Sequence, residues 1–169
     1  MAFILNGTQV ISFAEYQDCL DMDQRLFEAN EGLTDDVVED ALMRSTDRIL
    51  TLLRATSWWQ SYYTKRAAIA DYQTTADIPP LDPAKIEDRQ DDFSDLCVYY
   101  AFWNYLLPKI ADFGTEDNAE RQKIGFYQQK YNTLFGELIS AGDWYNFDGT
   151  GTISATEKQP GYYNLKRVR

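Results

Sequence analysis

The stretch Asp35-Asp-Val-Val-Glu-Asp-Ala-Leu-Met-Arg-Ser-Thr-Asp-Arg-Ile-Leu-Thr-Leu-Leu-Arg54 decides the class of the fold. Val38, Leu42, Ser45, Ile49 and Leu52/Leu53 recur at three- and four-residue spacing, and Asp35 and Asp36 supply negative charge to a first turn. Gly32 and Thr34 punctuate the chain just before it. This is an amphipathic helix, and the segments on either side follow the same period.

Upstream, Ser12 with Glu15 three residues later reads as a capping box that opens a helix over FAEYQDCLDM, with Phe13, Tyr16, Cys19 and Leu20 on one face. Downstream, Trp58, Trp59, Tyr62 and Tyr63 fall within six residues. That density suits a short helix facing the core or an aromatic interface patch. The stiff DIPPLDP run, residues 77 to 83, ends with Asp82 as a cap and Pro83 at a first helical position. A helix is expected from there through residue 113, most buried after Phe93 and kinked or ended by Pro108. Ile124, Tyr127, Tyr131, Leu134/Phe135 and Leu138 form the stripe of a last helix closed by Gly142.

The expected fold is all-α: a four- to five-helix bundle over residues 1–142, followed by an extended C-terminal arm over 143–169. The arm is rich in Gly, Thr, Tyr and Asn, contains Pro160 and has no helical period. It carries three acids and four bases, whereas the first 142 residues carry 24 acids and 12 bases. Arm and body are electrostatically distinct.

Composition excludes several kinds of chemistry. Histidine is absent, which removes His-dependent triads and the commonest transition-metal ligand. The net charge of -11 opposes binding to a phosphate backbone. No segment approaches the roughly 18 consecutive apolar residues of a membrane span, and the N-terminus lacks the basic start and cleavage site of a signal peptide. Cys19 and Cys97 lie inside helical patterns, as free buried thiols in a reducing compartment do. The acid pairs Asp35/Asp36, Glu39/Asp40 and Asp91/Asp92 point apart on a helix and read as solvated faces. No nucleotide loop and no catalytic constellation emerges, so the expectation is a protein that is not an enzyme.

Residues 146 to 157, NFDGTGTISATE, match the twelve-residue calcium loop of EF-hand proteins. The ligand positions 1, 3, 5, 7, 9 and 12 are Asn146, Asp148, Thr150, the Thr152 carbonyl, Ser154 and Glu157, with Gly151 at the turn and Ile153 at the apolar position. Asn146 stands where Asp is usual, Pro160 opposes a full exit helix, and two carboxylates imply modest affinity for a possible Ca2+ cofactor. The same residues also read as a Gly-Thr turn with Glu157 in solvent. At the end of the chain, Tyr162, Tyr163, Asn164, Leu165, Lys166, Arg167, Val168 and Arg169 alternate apolar and basic side chains, the pattern of a docking peptide.

The stretch VVEDALMRSTDRILTLLRATSWWQSYY, residues 37 to 63, resembles the head-to-tail connector (adaptor, or head completion) proteins of tailed bacteriophages, and the Asp-containing turn with the terminal NLKRVR is similar to the end of such neck proteins. Together these cover about a third of the chain. The resemblance implies a structural virion protein: a helical adaptor that forms a homo-oligomeric ring, commonly of twelve copies, below the portal. Its C-terminal arm docks on the portal protein, further neck or tail proteins follow, and double-stranded DNA passes through without specific binding. The implied location is the virion neck, with the host cytoplasm during assembly and no membrane. The other class open to these residues is a small calcium-binding helical interaction protein of cellular origin.

Overall fold

In a computed structural model of the chain, the described residues are 3–66, 74, 76–112, 114 and 119–161. They are mostly helical, with one small two-stranded sheet, and the chain divides into two compact units. Residues 1–49 and 89–137 form the first, and 50–88 with 138–169 the second. Among the described residues, no helix is long and apolar enough to cross a membrane.

The helical class is as expected, and to it the first unit adds a hairpin at its start that the sequence reading did not include. Strands β1 (Ile4–Asn6) and β2 (Gln9–Ser12) pair antiparallel with Leu5 opposite Val10 and Asn6 opposite Gln9. Gly7 at φ 65 provides the tight turn between them. Ser12 therefore ends a strand and caps no helix. Helix α1 (Tyr16–Glu28) starts after Glu15, whose backbone N–H donates to the Asp18 carboxylate at 2.9 Å. The junction is fixed at Phe13: its N–H donates to Thr46 Oγ1 at 3.1 Å, and its carbonyl accepts from Ser94 Oγ at 2.6 Å. Both backbone groups of a fully buried residue are thus satisfied by side chains of other helices.

Helix α2 (Asp35–Arg54) buries Val38, Leu42, Ser45, Ile49 and Leu53, the stripe its period requires. Helix α1 breaks at Asp23, whose backbone leaves the helical region at φ -150 and ψ 69. There its carboxylate receives the Lys123 ammonium and the Tyr127 hydroxyl. Helix α3 (Ser57–Ser61) belongs to the second unit; in the first, helix α4 (Gln90–Ala101) begins seven residues after Pro83, where the sequence suggests a start, and follows Arg89 at φ 59. It continues through a π-helical turn, Phe102–Leu106, into α5 (Leu107–Ile110). Pro108 accounts for that turn. Its ring has no N–H and would clash with a carbonyl four residues back, so the backbone widens and the Leu107 N–H bonds to Phe102 instead. Helix α6 (Ala119–Ala141) buries Tyr127 and Tyr131 in this unit.

The second unit is built on aromatic rings. Helix α3 (Ser57–Ser61), capped by Thr56, runs into a π-helical turn, Tyr62–Arg66. Asp82 caps only a single 3-10 turn, Pro83–Lys85, because the chain next becomes extended at Ile86, which is buried and bridges Tyr145. Gly142, at φ 60, ends α6. Residues 143–161, expected as the start of an extended arm, fold into this unit: Trp144, Tyr145 and Phe147 are buried, and α7 (Ala155–Lys158) follows.

Candidate functional site

Three tryptophans tie the second unit together by pairing each indole N–H with a backbone carbonyl. Trp58 donates to Lys158 at 3.0 Å, Trp59 to Pro79 at 3.2 Å and Trp144 to Leu138 at 2.9 Å. The rings of Trp58 and Trp59 pack against Phe147, which stacks on Tyr62 with centroids 3.8 Å apart and planes 13° from parallel. Of the two readings of the Trp-Trp-Tyr-Tyr run, the core reading holds for Trp58 and Trp59, while Tyr62 and Tyr63 stay partly accessible. Phe147 is position 2 of the EF-hand-like loop, so the loop is seated directly on this aromatic core.

The six loop residues are held in separate hydrogen-bonded groups: Asn146 with Gly149 and Glu87, Asp148 with Thr150 and Thr152, and Ser154 with Glu157. Asn146, fully buried, accepts the Gly149 N–H at 2.8 Å through its side-chain oxygen and donates its amide to Glu87 at 2.7 Å. Asp148 Oδ1 accepts the Thr150 N–H at 3.0 Å and the Thr150 hydroxyl at 2.7 Å, which together hold its carboxyl below the usual carboxylate range. The Thr150 hydroxyl also lies 3.3 Å from the Thr152 carbonyl. Gly149 and Gly151 take φ 72 and 75, a left-handed conformation that favours glycine. Ser154 caps α7, with Glu157 at the third helical position returning its carboxylate to the Ser154 N–H at 2.7 Å.

Glu157 is only 2% exposed, which removes the reading in which it sits in solvent. One oxygen accepts the N–H groups of Phe147 and Asp148 at 2.9 and 3.2 Å, and the other accepts Ser154. The carboxylate thus closes the loop on itself. A calcium ion at this loop calls on the same carboxylate as a bidentate ligand, in competition with three charge-assisted hydrogen bonds. Among the described residues, no three His, Cys, Asp or Glu side chains gather in a metal-binding group.

Two residues that support the loop were invisible to local reading. Glu87 holds the Asn146 amide, and Lys85 donates to the Phe147 carbonyl at 3.2 Å. Both come from the 3-10 turn and bridge some sixty residues upstream, and only the pairing of Ile86 with Tyr145 brings them there. The docking segment Tyr162, Tyr163, Asn164, Leu165, Lys166, Arg167, Val168 and Arg169 lies outside the described residues. No family model, curated protein or solved structure significantly matches the chain.

Proposed function

We propose that this chain is a structural assembly protein, a head-to-tail adaptor of a tailed-phage neck that forms a ring and docks on a portal protein through residues 162–169. The observation that carries the reading is the anchoring of the segment just before the docking peptide. Trp144, Tyr145, Phe147 and Glu157 are buried, and the Lys158 carbonyl is held by Trp58. Docking from such a base does not have to order residues 143–161, whose backbone is already held.

Charge supports the same reading. A body that carries 24 acids and 12 bases repels a phosphate backbone, the property needed of a surface that DNA must pass without sticking. The apolar and basic alternation after Gly161 suits a protein partner. A ring of copies, further neck or tail partners and a virion location belong to this proposal as well.

A second reading, a cellular calcium-binding interaction protein, is favoured by the loop backbone. Gly151 adopts the positive φ of the EF-hand turn position, and Ser154 starts a helix where an exit helix begins.

The test is the solution mass of the full chain and of a 1–161 truncation, each alone and mixed with a portal ring, with and without chelator. The adaptor reading expects only the full chain to join the portal. A truncation that binds equally well overturns the docking role, and a chain that ignores portal while binding calcium moves the assignment to the second reading.

A further inference from the structure

The first unit carries two accessible surfaces of opposite character on opposite flanks of α6. One is a groove of about 450 Å3 lined by Asp95, Tyr99, Phe126, Lys130, Leu134 and Glu137. Phe126 is 53% exposed there, one of the few large apolar side chains in the described residues left in solvent. The groove is acidic. Partial desolvation and the carboxylates of Asp92, Asp18 and Asp91 push the Asp95 carboxyl up, with Lys130 opposing.

On the other flank, Tyr131 and Phe135 stack with centroids 5.6 Å apart, and Tyr131 meets Tyr100 and Trp103 at 5.1 and 5.7 Å. Arg44 lies over the Tyr105 ring at 4.4 Å, and the charge of Arg48 reaches Tyr131. Both arginines are accessible, and Trp103, Tyr105 and Phe135 are half-buried. Beneath them the buried Tyr131 hydroxyl has no hydrogen-bond partner among the described residues. Arginine with Trp and Tyr is the composition of an interface hot spot, and a buried hydroxyl left unpaired is a standing cost that a docking surface or its trapped water can relieve.

We infer that these two surfaces join successive copies of this chain, the Arg44/Arg48 aromatic patch of one copy against the Asp95/Glu137 groove of the next. The charge pattern selects a second copy as the occupant. Two molecules of net charge -11 repel unless cations of one meet acids of the other, and this pairing opposes two arginines to a groove whose own neighbours are carboxylates. Phe126 supplies an apolar knob among partly exposed rings. Because patch and groove are different surfaces of one molecule, the contact is heterologous, and a heterologous contact propagates head to tail into a ring or an open chain. The inference deepens the ring part of the adaptor reading but stands on its own surfaces.

The test uses two full-length variants, R44E/R48E and D95K/E137K, all four positions being accessible to solvent. Sedimentation equilibrium over a wide concentration range, in low and high salt, is expected to show reversible association of the wild type that salt weakens. Each variant alone is expected to associate about tenfold more weakly or less, and an equimolar mixture to recover association, because one variant keeps an intact groove and the other an intact patch. A wild type that stays monomeric, variants that associate like the wild type, or a mixture that fails to recover each overturn the inference. Association by this contact in a chain that ignores portal sinks the adaptor reading alone. A monomer that joins portal through residues 162–169 sinks this inference alone.

Discussion

The Glu157 carboxylate accepts the backbone N–H of Phe147 at 2.9 Å, from ten residues further along the chain. A buried anion therefore sits on the residue that fills the aromatic core, and the loop between them cannot open without breaking both. Replacing Glu157 by Ala leaves three backbone donors without their acceptor. The expected cost is about 2–4 kcal/mol. Glu157→Gln should cost less, since its carbonyl still accepts, while its amide meets an N–H donor. Denaturant unfolding followed by tryptophan fluorescence measures this, because Trp58, Trp59 and Trp144 belong to the second unit and only Trp103 to the first. A change below about 0.5 kcal/mol for Ala, the ordinary surface range, removes the latch role.

Gly142 is constrained twice. Its φ is 60, and a Cβ there meets the Lys158 carbonyl oxygen at 2.1 Å and the Trp58 indole nitrogen at 2.6 Å. These are the two partners of the hydrogen bond that anchors α7. Gly142→Ala should destabilise the second unit by about 2–3 kcal/mol or more, from overpacking added to backbone strain. Gly136→Ala is the control: its added Cβ meets nothing within 4 Å, and replacing glycine inside α6 should stabilise by about 1 kcal/mol. Melting curves of the two variants that move together contradict the geometry.

Burial pushes the Cys97 thiol up to about 12, against the weaker opposing effect of its contact with Thr46, and burial pushes Cys19 in the same direction. A thiol in the unfolded chain ionises near pH 8.5. The folded state therefore keeps protons that the unfolded state releases, and the thiols' contribution to stability is full below about pH 8.5 and declines as pH rises toward 12. The melting temperature should fall across that interval, and less in Cys97→Ala measured relative to its own neutral-pH value. Labelling by a thiol reagent at pH 8 should be at least about 100-fold slower in the folded protein than in denaturant, because reaction waits on opening.

Calcium should bind weakly if it binds, because it has to take Glu157 from the backbone. Calorimetric titration is expected to give a dissociation constant no tighter than about 0.1–1 mM, and a chelator should leave the melting temperature unchanged. Micromolar binding abolished by Asp148→Ala would show that the loop rearranges around the ion and favour the calcium-binding reading.

Helix content was legible wherever a period ran long enough. Val38, Leu42, Ser45, Ile49 and Leu53 in one stripe and Tyr127, Tyr131 and Leu138 in the other are buried as their spacing demands, while Leu52, Ile124, Leu134 and Phe135 are half-buried, and Gly142 ends α6 as a left-handed cap. The hairpin was missed although its signal was present: Asn6-Gly7-Thr8 stands between short apolar runs, and Gly7 at the first turn position is a known hairpin residue. A competing local signal, Ser12 with Glu15, drew the helix start too far upstream. What separates the two is distant: Thr46 and Ser94 take both backbone groups of Phe13, and neither lies near it in sequence.

The late start of α4 has the same origin. Asp82 and Pro83 do what a helix start does, yet one turn later Ile86 finds a better place against Tyr145. Burial of a large apolar side chain, about 1.5–3 kcal/mol, exceeds the few tenths per residue that helix propensity offers.

By itself the sequence determined what depends on neighbours along the chain: the class of the helices, the stripe each one buries, the absence of histidine chemistry, the acid surplus and the twelve-residue loop with glycines where its turns require them. Only the tertiary structure decided that Trp144, Tyr145 and Phe147 are core and that Glu157 is a latch. It also placed the Arg44/Arg48 patch and the Asp95/Glu137 groove on opposite flanks of one helix. The physical reason is range. Capping, turns and periodicity act over four residues or fewer, whereas a buried carboxylate and an aromatic cluster are defined by partners brought together across as many as a hundred residues, as Trp58 and Lys158 are.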